Sequence, residues 1–121
     1  MAIKEGTQLW EPSTEMKEQA NLLKYMYWLD RYRGKGFAEP EALWQWSVDH
    51  LEDFWSSLWD YFHIKTSSPY TAVLEGKRMP GVHWFPDAAL NYTEQVFSNR
   101  TNERPAVIAQ SETRPLSELS W

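Results

Sequence analysis

The segment DHLEDFWSSLWDYF, from Asp49 to Phe62, sets Leu51, Phe54, Trp55, Leu58, Trp59 and Phe62 at i, i+3, i+4, i+7, i+8 and i+11. That is the period of an α-helix with one apolar face, and six large side chains on one stripe demand a surface to lie against. Asp49 and Glu52 read as a capping box at the start of this helix. The rest of the chain is similarly rich in rings, with eight Trp, six Tyr and five Phe among 121 residues. Large apolar side chains at this density offset the entropy of ordering, so disorder is not expected, and the length allows one small domain at most.

Two further helices precede this one. From Ser13 the sequence STEMKEQANLLKYMYWLDRYRG predicts a single helix whose stripe is Met16, Ala20, Leu23 and Tyr27, widened by Leu22, Met26 and Leu29. Pro12 with Ser13 or Thr14 supplies its entry, and Gly34 and Gly36 end it after Arg31 and Arg33. A shorter helix is expected from Glu39 to about Trp46, with Pro40 in its first turn and Leu43, Trp44 and Ser47 on one side.

After Ile64 the grammar changes. SSP, GKRMPG and FPD supply turns, TAVL reads as a short strand, and DAALNYTEQVFSNR permits a fourth helix from about Asp87 to Phe97. The tail PAVIAQSETRPLSELSW gives an apolar run at Ala106 to Ala109, a polar turn at Glu112 to Pro115 and a second strand from Leu116. The expected fold class is α+β, mainly α, divided into a helical region 1–64 and a loop-rich region 65–121 that ends in a short hairpin. A second arm stopping on the indole of Trp121 reads as the edge of a truncated larger protein.

Composition removes several functions. With no cysteine there is no disulfide framework, thiolate metal site or cysteine nucleophile. The opening MAIKEGTQLWEPSTE has no apolar run after its lysine, so no secretory signal is visible and a cytoplasmic setting is expected. No stretch approaches the roughly 18 apolar residues of a spanning helix, so no membrane partner is expected. A net charge of −5 without a basic run argues against nucleic acid.

The polar residues form no recognisable catalytic set. His50, His63 and His83 stand 13 and 20 residues apart, which matches no helical ligand pair. They read as a helix start, a helix end and a loop residue. Glu11, Glu15, Glu18, Asp30, Glu39, Glu41, Asp49, Glu52, Asp53 and Asp60 read as a solvated face, with nothing to separate a general acid from a general base. Gly6, Gly34, Gly36, Gly76 and Gly81 form no phosphate cradle. Asn91 and Asn99 begin Asn-x-Thr triplets, which carry no meaning without secretion. The rings of WQW at Trp44 to Trp46 and of FWSSLWDYF admit a role as sugar or base platforms, but core packing is the stronger reading. Trp44 and Trp46, two apart on a helix, cannot face the same way, so one is expected to lie against another part of a larger protein. No catalytic, cofactor-binding or metal-binding residue is assigned.

LWEPS at Leu9 to Ser13, WQWSV at Trp44 to Val48, FWSSLWDYF at Phe54 to Phe62 and MPGVHWFPDAALNYTE at Met79 to Glu94 are recognisable as a set. Together they resemble the amino-terminal region of the acetoacetate–CoA ligases, or acetoacetyl-CoA synthetases, of the acyl-adenylate-forming superfamily. The likeness covers nearly the entire chain. Trp84-Phe85 followed by Leu90-Asn91 is similar to the matching stretch of acetyl-CoA synthetases. That sister family commonly carries two glycines where this chain has Pro86, Asp87 and Ala88, which favours the acetoacetate branch.

The resemblance implies an ATP-dependent parent ligase of lipid metabolism, using Mg and CoA, whose machinery lies beyond the region resembled. These 121 residues would then have no activity alone, and their partner would be the remainder of that ligase. The tail would be the first hairpin of its large α/β domain, and the aromatic helices would wrap the outside of that domain. Two other functions compete. One is a stand-alone Trp-rich interaction or glycan-binding module. The other is self-association through the unfinished hairpin edge.

Overall fold

A computed structural model describes residues 4–76 and 78–121. The described residues are mainly helical, with two small antiparallel sheets, as an α+β class requires. In chain order the elements are α1 (Thr14–Gln19), α2 (Asn21–Arg33), α3 (Pro40–Asp49), α4 (Leu51–Tyr61), β1 (Leu74–Glu75), β2 (His83–Trp84), α5 (Tyr92–Phe97), β3 (Val107–Ser111) and β4 (Arg114–Leu119). The chain divides into two compact units, Met1–Phe62 and His63–Trp121.

The single helix expected from Ser13 is two. Ser13 caps α1 by accepting from the Met16 amide at 3.3 Å, but Ala20, with ψ 137°, leaves the helical region and is both the end of α1 and the start of α2. No residue of α1 is buried, so no packing holds it in line with α2. Gly34 ends α2 in the left-handed conformation at φ 63°, where its amide donates to the Asp30 carbonyl and that of Lys35 to the Leu29 carbonyl.

Pro40 opens α3 as its composition suggests, but the helix runs past Trp46 to Asp49. That extension removes the expected capping box. Asp49 is still helical and its carboxylate accepts from the Gln45 side-chain Nε2 at 2.9 Å, so His50 joins α3 to α4 with no side-chain cap. The joint is a single residue. Its amide closes α3 on the Trp46 carbonyl, and its carbonyl receives the Phe54 amide.

The core of the first unit is Tyr25, Met26 and Leu29 of α2 with Leu43 and Trp46 of α3, covered by Phe54, Leu58 and Tyr61 of α4. Tyr25 meets Tyr61 edge-on at 5.0 Å between ring centres, and Trp46 meets Phe54 edge-on at 6.0 Å. Two stripes differ from expectation. On α2, Met16 (now in α1) and Tyr27 are exposed, because the run YMYWL is apolar on every side and packing selects Tyr25, Met26 and Leu29. On α4 the inward arc is Phe54, Ser57, Leu58 and Tyr61, while Leu51, Trp55 and Phe62 stay exposed. Ser57 is the reason. It is 1% exposed, and its small side chain lets the Tyr25 hydroxyl approach to 2.6 Å. Ser57 gives its one proton to the Phe54 carbonyl at 2.6 Å, so the Tyr25 hydroxyl is the donor between them.

In the second unit the expected strand TAVL shifts to Leu74–Glu75, which pairs with His83–Trp84, so His83 lies in a strand rather than a loop. The helix expected from Asp87 begins only at Tyr92, capped by Asn91, whose side chain accepts from the Thr93 amide at 3.1 Å. Asp87 cannot start it, because its φ is 68° and its carboxylate accepts from the Thr71 hydroxyl at 2.7 Å. Ala89 is held in a bridge with Ser68.

The terminal hairpin pairs Val107 with Leu119, Ile108 with Glu118 and Ala109 with Ser117, then slips between Ala109 and Ser111 to pair Ser111 with Arg114. β4 therefore starts at Arg114, before the expected Leu116, and includes Pro115. The slip sets Pro115 and Leu116 opposite Gln110, a bulge in which the amide that proline lacks is not needed.

Candidate functional site

All ten singled-out carboxylates are exposed. Glu11 is paired with Lys17, and Asp60 with Arg33. The Lys17 ammonium, by its hydrogen bond and then its charge, holds the Glu11 carboxyl below the usual range. His50 sits at the α3–α4 joint, His63 follows α4 with φ 50°, and His83 is in β2. Among the described residues, no three or more His, Asp or Glu side chains are grouped so as to hold a metal ion. No helix among them is long and apolar enough to cross a membrane.

The indoles divide as their spacing requires. Trp46 is 8% exposed and lies in the core, while Trp44, two residues earlier, is 64% exposed. Trp44 forms part of the rim of an open groove between α2, α3 and α4, with a volume of about 510 Å³. Tyr25, Leu43, Phe54 and Leu58 line it, with Leu22 beside them. Burial pushes the Tyr25 phenol above its ordinary pKa, so this hydroxyl stays neutral as a donor to Ser57.

Trp46 carries a second feature. Its Nε1 is buried with no acceptor among the described residues, at a cost of about 1–3 kcal/mol. The Lys35 ammonium lies 5.3 Å from its ring centre, at the distance of a cation–π contact. A pocket of about 80 Å³ among Arg33, Lys35, Asp53 and Ser57 adjoins the ring and is roomy enough for water. The Nε1 atom itself is closed to solvent.

What this arrangement offers is apolar area. Sequence reasoning identified the rings but missed the groove and the Tyr25–Ser57 pair. The one available signal was a serine inside the apolar run FWSSLW.

The family model for the acetyl-coenzyme A synthetase N-terminus matches residues 41–96, which hold α3 after its first residue, α4 and the FPD loop. An acetoacetyl-coenzyme A synthetase of Rhizobium meliloti is 29% identical over 113 residues, covering 93% of this chain and 17% of the relative. One of Danio rerio is 31% identical over 114 residues, with the same two coverages. The solved acetoacetyl-CoA synthetase from Streptomyces lividans superposes with a TM-score of 0.84 at 32% identity, covering 95% of this chain and 18% of that one. The chain is similar to the amino-terminal region of acetoacetyl-CoA synthetases. It spans about a sixth of the length of the curated relatives it matches.

Against that background the FPD loop is informative. Asp87 keeps a positive φ of 68°, a conformation that glycine adopts without cost. Its hydrogen bond from Thr71 anchors that conformation.

Proposed function

We propose that the chain is a non-catalytic amino-terminal piece of a cytoplasmic, ATP-dependent acetoacetate–CoA ligase of lipid metabolism. In such an enzyme the acetoacetate carboxylate attacks the α-phosphorus of ATP, with Mg, to give an acyl-AMP and diphosphate. The CoA thiol then displaces AMP. This chain contributes apolar surface instead, and its partner is the remainder of the ligase. The supporting observation is the exposure of large rings in the first unit, Trp44, Trp55 and Phe62 among them, in a chain similar to a sixth of a long ligase. The test is diphosphate release by the 121 residues given acetoacetate, ATP, Mg and CoA. None is expected, and measurable turnover would overturn the proposal.

A stand-alone Trp-rich binding module is favoured by one observation. The groove beside Trp44 falls within the roughly 300–1,000 Å³ of small-ligand pockets. Tryptophan fluorescence against a glycan panel separates the two, since saturable quenching by one sugar favours the module and indifference removes it. Self-association through the hairpin is supported by β3 and β4 being exposed along their whole length, and a clean monomer in light scattering at high concentration would dispose of it.

A further inference from the structure

We draw no further inference here: the strongest candidate, the open apolar groove between α2, α3 and α4 with Trp44 on its rim, is an unpartnered face, and nothing in the structure shows what covers it.

Discussion

The two compact units are held together in different ways. Every buried residue among those described belongs to Met1–Phe62, where three helices close on a ring-rich core. In His63–Trp121 no described residue is buried, and hydrogen bonds do the cross-linking: the Ser67 amide and the Ser67 and Ser68 hydroxyls donate to the 87–89 stretch, the Ser68 carbonyl accepts from the Ala89 amide, and Thr71 holds Asp87. Apolar burial stabilises by excluding water, whereas each exposed hydrogen bond competes with water and contributes only about 0.5–1.5 kcal/mol. The first unit therefore carries its own apolar driving force, and the second relies far more on exposed hydrogen bonds.

Substitution of Leu29, fully buried at the centre of the helical core, sharpens that contrast most. Leu29→Ala is expected to cost about 2–5 kcal/mol in urea unfolding followed by helical circular dichroism. Ile108→Ala in the exposed hairpin is expected to change stability by less than about 0.5 kcal/mol. Equal effects would break the comparison.

Tyr25→Phe comes next, with an expected loss of about 0.5–1.5 kcal/mol from the missing bond to Ser57. A pH series adds a second readout. Because the folded-state pKa of Tyr25 is raised above 10.0, the folded chain keeps a proton that the unfolded chain loses. Stability is then full below pH 10.0 and falls as pH rises toward the folded value. That fall should be weaker in Tyr25→Phe than in the parent chain, and identical profiles would remove the buried phenol from the account.

In the second unit Asp87→Ala is expected to cost about 1 kcal/mol, from a Cβ residue at positive φ without its side-chain anchor. The loss should be read as faster hydrogen exchange at the Ala89 amide, which donates to Ser68. Asp87→Gly should exchange more slowly than Asp87→Ala, since glycine restores the backbone freedom. The smallest effect is at Glu11. Its lowered pKa means that the pairing with Lys17 contributes above pH 4.5 and fades as pH falls through the folded value, so an acid titration of Glu11→Gln should lack that small step.

How much of this was legible depended on whether a residue acts locally. Ser13, Gly34 and Pro40 set helix ends through their own backbone chemistry, and each does so where the sequence indicated. Asp49 is also a local signal, yet α3 overran it, because extending the helix brings no conflict with the core position of Trp46. The phase of α4 was not legible. Leu51, Trp55 and Phe62 are as apolar as Phe54, Leu58 and Tyr61, and only the fit of Ser57 against Tyr25, 32 residues away, selects the inward arc. The groove is hidden for the same reason, since its lining comes from three helices. Trp44 is the exception, because its two-residue offset from Trp46 forces the two apart on any helix.

The proposal under test is that the exposed rings Trp44 and Trp55 lie against the remainder of a larger ligase. Hydroxyl-radical footprinting of Trp44 and Trp55 tests it most directly, comparing the 121-residue chain with a full-length ligase that contains it. Both indoles should be oxidised readily in the short chain and protected in the ligase. Equal oxidation of both in the two proteins would contradict the account.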